Sequence, residues 1–180
     1  MAMCRRTIRE QLFKLLFRFD FLSGEEMKEQ EELFFDSGDQ TFTDADRAEI
    51  AGKLESILAH REEIDREIAE RSEGWSLDRM GKVELTLLRL AVYEMKYDES
   101  VPEKIAINEA VELARRFGQD GAPAFVNAIL SRFTAEGEKK YEQQKALRTE
   151  KQAEEAAPDR NRPRNGGAQV HIVHTRKQAK

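Results

Sequence analysis

A lone cysteine, Cys4, rules out an intramolecular disulfide and any cysteine-built metal cluster. Histidine is almost as scarce, and His60, His171 and His174 do not fall at a metal-ligand spacing, so no metal is expected. No apolar run approaches the roughly 20 residues needed to cross a bilayer. Charges interrupt the apolar positions of the N-terminal stretch, which is unlike a secretion signal. Glycine-rich phosphate loops, a GxSxG turn around a nucleophile and paired HExxH histidines are all missing. Cys4 has no histidine nearby in sequence to activate it. These absences leave a cytoplasmic, non-enzymatic protein that needs no cofactor.

Charge and helix-forming residues are what the chain has in plenty. Charged residues make up 36% and hydrophobic residues 39% of 180 positions, with Ala, Leu, Glu, Lys and Arg prominent. The net charge of −5 is unevenly distributed. Residues 1–18 hold five basic residues against Glu10 alone, and residues 134–180 hold eleven basic against seven acidic. The stretch between them is strongly acidic. This division fits a localised anion-binding end on an acidic body. Composition alone favours the plainer reading, the charged surface of any helix-rich protein.

Apolar spacing predicts helices nearly throughout. Ile8, Leu12, Leu15, Leu16 and Phe19 mark a first helix over about residues 4–22. A short acidic helix with Met27, Leu33, Phe34 and Phe35 follows Ser23 and Gly24, and residues 36–40 read as a loop. Thr43 is a plausible N-cap for one long helix reaching about Arg71, with Ile50, Leu54, Ile57, Ile64 and Ile68 on its stripe. His60 sits at the boundary of that stripe. Gly74 to Ser76 break the pattern, with Trp75 expected to anchor the break by packing, a stacking role being the alternative. VELTLLRLAVYEM, residues 83–95, is apolar around nearly its whole circumference and reads as a buried central helix. Its Glu84, Arg89 and Glu94 then require partners.

Lys104 to Phe117 form a further helix, with Gly118 expected as a left-handed cap. Pro123 fits the first turn of a last core helix carrying Phe125, Val126, Ile129, Leu130 and Phe133. The apolar pattern ends there. Residues 134–157 read as a solvated helix and 158–180 as disordered, with a small apolar island at Val170, Ile172 and Val173. The expectation is an all-α chain of about seven helices in two packed bundles. Residues 1–134 form its domain, and 135–180 a charged, flexible tail.

Two stretches offer binding chemistry. In RRTIRE, Arg5 and Arg9 stand four residues apart on one helical face, with Arg6 beside them. Guanidinium groups suit phosphate oxygens and stack on bases. Positive charge at a helix N-terminus also opposes the macrodipole, so these arginines need an external anion more than they help the helix. In ARRFGQDGAPAFVNAIL, Arg115 and Arg116 precede a glycine corner with free backbone amides. Phosphate contacts beside aromatic and polar groups are the usual means of gripping single-stranded RNA. Phe117 and Phe125 nonetheless fall at core-like spacing. A helical adaptor whose arginines face an acidic protein is the alternative.

Three blocks carry a resemblance. RRTIREQLFKLLF is similar to the arginine-rich first helix of the NusB family of transcription antitermination proteins. GKVELTLLRLAVYEM with VPEKIAINEAVELARRFG, and then APAFVNAILSRF, resemble the family's C-terminal signature in order and spacing. The resemblance implies an all-helical fold that binds boxA RNA together with the ribosomal protein NusE. It also implies work within the RNA polymerase antitermination complex during ribosomal RNA synthesis. Carried over by position, Arg5, Arg6 and Arg9 grip RNA, while Gln119, Asp120 and Phe125 form a second contact. Phe17 and Glu84 take the positions of NusE contacts. Asn108 and Asn127 are signature residues, read as hydrogen-bonders for packing or capping.

The chain departs from the family at Ala122, where serine is common, and at Ala128, where glycine is. The first loses a capping hydroxyl that Asp120 would partly replace, and the second adds a methyl group. A NusB-like domain also occurs fused to ribosomal RNA cytosine methyltransferases, but no catalytic domain follows here. The basic tail is expected to add sequence-independent RNA affinity. A homodimer would cover the RNA surface.

Overall fold

The computed structural model describes residues 2–37 and 41–156. His171, His174, the apolar island and the stretch read as disordered lie outside the described residues, as does most of the loop expected at 36–40. Two units are distinguished, Met1–Gln144 and Lys145–Lys180. Eight α-helices and no strand are present among the described residues. They are α1 (Arg5–Phe19), α2 (Gly24–Ser37), α3 (Asp44–Ala59), α4 (Arg61–Arg71), α5 (Lys82–Tyr97), α6 (Glu103–Phe117), α7 (Ala122–Leu130) and α8 (Ala135–Ala156). Asp36 and Ser37, read as loop, complete the last turn of α2.

The buried run at the middle of the sequence becomes the centre of the fold. Every residue of α5 from Leu85 to Glu94 is buried, and α1, α3, α4, α6 and α7 all pack on it. A helix surrounded this way must be apolar on all sides. Its two fully buried charges are partnered. Arg89 donates to Asp65 at 2.7 and 2.8 Å and to Asp20 at 2.8 and 2.9 Å. Asp20 is the C-cap of α1 and also accepts from Arg61 at 2.7 Å. The end of α1 is thereby tied to α4 and α5 through one guanidinium. Glu94 is met by Arg9 of α1.

One long helix was expected over 44–71, and the structure has two. The chain bends at His60 (φ −100°, ψ 6°). The His60 ring lies 2.8 Å from the Ser56 carbonyl and stacks 4.1 Å from Tyr97. The apolar stripe hides the break, because Ile57 and Ile64 are both buried on either side of it. Thr43 caps α3 as expected, in a reciprocal box with Asp46.

Gly118 is not left-handed. Its φ is −86° and ψ 172°, which any residue adopts, and its reason for being glycine is space. A Cβ there would lie 2.5 Å from the Ala122 Cβ and 2.7 Å from the Ala114 carbonyl oxygen. The left-handed residue of this corner is Gly121 (φ 88°), the N-cap of α7. No side chain caps that helix, so Asp120 does not stand in for the missing serine hydroxyl. Ala122 is the first residue of α7 and is buried against Gly118, while the methyl of Ala128 faces solvent. Asn108 and Asn127 are exposed rather than packed, each one position off a buried stripe.

Candidate functional site

The first turn of α1 contains no acidic residue, and its N-cap, Cys4, makes no side-chain capping bond. Arg5 and Arg6 therefore stand at an electrostatically unfavourable helix end. Arg5 is exposed and lines a cavity of about 190 Å³ with Lys53, Glu49 and Arg9. The Arg6 guanidinium is 62% exposed and donates from Nε to Glu109 of α6 at 3.1 Å.

Arg9 behaves differently. It is only 7% exposed, and its Nε donates to both carboxylate oxygens of Glu94 at 2.8 and 2.9 Å. Its other edge approaches Glu109 at 3.6 Å. Burial pushes the Glu94 carboxyl upward, and the Arg9 guanidinium opposes this. The three arginines that share a sequence motif are thus separated, two toward solvent and one into the interface with α5.

From Arg6 a line of charge runs along the seam of α1 and α6. Arg116 pairs with both oxygens of Glu10 at 2.5 and 3.1 Å, and Lys14 joins Glu10 at 2.9 Å. The Arg116 hydrogen bond in particular holds the Glu10 carboxyl below its ordinary value. Arg116 and Lys14 also flank the ring of Phe117 at 5.1 and 5.7 Å. Arg115 is exposed and pairs with Glu112.

Two grooves lie where this seam reaches the corner after α6. One, of about 430 Å³, brings together Gln119, Asp120, Phe125 and Glu84 with Trp75 and Arg79. The other, of about 370 Å³, is apolar and includes Phe17, Phe13, Phe34, Val83 and Phe117. Successive residues of α5 line them, Val83 the second and Glu84 the first. Glu84 itself leans over two glycines. Its carboxylate fills the space that a Cβ on Gly81 would need, and a Cβ on Gly118 would lie 3.3 Å from it. Gly81 and Gly118, far apart in sequence, make one cradle for one carboxylate.

Most of the expected residues converge. Gln119, Asp120, Phe125 and Glu84 share a groove, and Phe17 occupies its neighbour. Arg5 and Arg6 stand apart, about 18 Å from Phe17 along α1 at roughly 1.5 Å per residue. Trp75, expected to pack, is instead 55% exposed at the groove wall, 5.7 Å from Phe125 with its ring at 71°. Arg79 was missed altogether, because a lone arginine in a short 3-10 turn (Leu77–Arg79) carries no pattern. Glu94 was legible only as a charge needing a partner, and Glu109, which meets Arg6 and Arg9, was missed.

Residues 6–135 match the NusB family. This chain belongs to the NusB family. The transcription antitermination protein NusB of Agathobacter rectalis is 47% identical over 131 residues, covering 73% of this chain and 99% of that protein. NusB of Lachnoclostridium phytofermentans is 44% identical over 130 residues, covering 72% and 98%. Among solved structures, T. maritima NusB aligns with a TM-score of 0.64 at 32% identity, covering 73% of this chain and 91% of that one. A structure of the antitermination factors NusB and NusE in complex with dsRNA aligns at 0.61 with 29% identity, covering 71% and 92%. The NusB-family match runs from Arg6, the second residue of α1, through α7, and so includes the seam, both grooves and all of the arginine end but Arg5. No described helix is long and apolar enough to cross a membrane.

Proposed function

We propose that this chain is a cytoplasmic antitermination factor that binds boxA-type single-stranded RNA together with NusE. On this reading it serves the RNA polymerase antitermination complex during ribosomal RNA synthesis, and it catalyses nothing. Residues 1–134 are the RNA-binding domain, and 135–180 a charged tail. The observation that carries the reading is the placing, almost wholly within the family-matched region, of exposed arginines at one end of α1, a seam of alternating cations and carboxylates between α1 and α6, and an aromatic groove at the corner after α6. The solved structure of the related antitermination factors NusB and NusE in complex with dsRNA supports the RNA and NusE parts of it.

Arg5 and Arg6 hold phosphates. Arg9, anchored on Glu94, fixes the end of α1 so that they face outward, and meets RNA only by exchanging Glu109. Gln119, Asp120 and Phe125 contact bases at the corner. Phe17, in the apolar groove, and Glu84, beside it, contact NusE. A homodimer that covers the RNA surface would make RNA affinity fall as protein concentration rises.

Fluorescence anisotropy with a labelled boxA-like strand and a scrambled control, with and without NusE, tests this. Selective binding that NusE tightens is expected. The Arg5→Ala/Arg6→Ala variant should bind more weakly and lose about 1.4 from the slope of log K against log salt, two single-strand phosphate contacts' worth. Equal weak binding to both strands, indifferent to NusE and to the arginines, would instead leave a helical adaptor.

A further inference from the structure

Trp75 is the one tryptophan in the sequence, and it is displayed rather than buried. The turn that carries it is firmly made. Ser72 is 3% exposed and bonds the Ile68 carbonyl at 2.5 Å, the Trp75 amide donates to the Ser72 carbonyl at 3.2 Å, and Gly74 takes a φ of 84° that a side chain would resist. The backbone therefore holds this indole at the surface, although the ring is the largest apolar group available for burial. Among the described residues its ring contact is with Phe125, steeply tilted at 5.7 Å.

The groove around the ring holds the carboxylates of Glu84 and Asp120 and, beside them, two positive features. Arg79, exposed, lies in the same groove four residues on. The uncapped N-terminus of α7, nine residues long, opens at the groove's other side behind Gly121. An exposed aromatic face between a guanidinium and a helix N-terminus matches a nucleotide: the ring suits the base, and the two positive features suit its flanking phosphates. An acidic protein side chain would use the guanidinium or the helix N-terminus but would leave the ring face unfilled.

We infer that Trp75 stacks on one unpaired nucleobase of the bound RNA, with Arg79 on an adjacent phosphate, in a subsite walled by Phe125. The inference rests on the RNA-binding reading above and extends it to the α4–α5 connection. Stacking of this kind tolerates any base, so the subsite adds affinity and fixes register rather than sequence.

Because Trp75 is the sole tryptophan, its native fluorescence reports the contact directly. Titrating the full chain with a boxA-like single strand should quench that emission along the same curve as the anisotropy of a labelled strand. Trp75→Ala should weaken binding roughly 5- to 150-fold, the equivalent of one base stack, and Trp75→Phe should restore most of it. Trp75 is exposed, so both variants should keep the wild-type melting temperature. A scan of single abasic sites should find one position whose removal abolishes quenching. If RNA binds in an Arg5- and Arg6-dependent way while emission and Trp75→Ala affinity stay unchanged, the subsite is wrong and the RNA reading stands. If emission changes on adding NusE without RNA, Trp75 is a protein contact and the inference falls. If neither signal responds to RNA, both readings fall together.

Discussion

Two glycines show how much a missing side chain can decide. Gly118 and Gly81 flank the Glu84 carboxylate, yet the atoms a methyl group would meet differ in kind. At Gly118 they include the Ala114 carbonyl oxygen and the Ala122 Cβ, which belong to the backbone of α6 and the start of α7. At Gly81 they are the movable end of Glu84. Gly118→Ala should therefore destabilise by about 1–3 kcal/mol, the usual cost of overpacking, measured by denaturant titration. Gly81→Ala should leave stability nearly unchanged while turning the Glu84 carboxylate away from the corner. The sequence marks both positions as glycine but carries no sign of which is sterically required, since that depends on α6 and α7 meeting. The same limit explains Arg9. Its four-residue spacing from Arg5 is a fact of the helix, whereas Glu94, which draws it inward, comes from a helix 85 residues away.

Elements were far more legible than the joints between them. The all-round apolarity of α5 and the stripe of α6 follow from periodicity, and both helices lie within a few residues of expectation. The bend at His60 was hidden because a stripe can pass through a kink without losing its phase. The start of α3 was visible, since Thr43 and Asp46 form a reciprocal cap, with the Thr43 amide donating to Asp46 at 2.9 Å and the Asp46 amide donating to the Thr43 hydroxyl at 3.2 Å. Thr43→Ala should cost about 1 kcal/mol by thermal or chemical unfolding. Hydrogen bonds from the Thr43 hydroxyl, then the Met3 and Thr43 amides, lower the Asp46 carboxyl below its ordinary 3.8. A lowered acid stabilises the native state above its unfolded value and loses that contribution as pH falls through the folded one. The gap between wild type and Thr43→Ala should accordingly narrow in acid, below about pH 4.

Across the whole molecule, charge is sorted along the chain. Residues 145–180 hold nine basic and four acidic residues, and a cut after Gln144 keeps the Arg71–Glu138 ion pair of 3.0 Å that a cut at 138 would remove. Truncation there should lower affinity for boxA-like and scrambled strands by the same factor and flatten the salt dependence of both, because a counterion effect is blind to sequence. Unchanged slopes in the anisotropy titration would exclude the tail from binding. Composition made this polarity legible. It did not reveal that the cations of α1 and α6 are interleaved with carboxylates, which only the packing of the two helices creates.

That interleaving has a consequence for selectivity. Without a ligand, Arg6 rests on Glu109 and Arg116 on Glu10, so each carboxylate occupies the place of an anionic guest. An arriving phosphate must evict a resident, and a solitary phosphate gains little from trading one oxyanion for another. A strand that evicts several residents in a single encounter gains from each while losing its own freedom of motion only once. If RNA is the guest, as proposed above, the seam would favour a polyanion that engages several arginines at once over a single free phosphate.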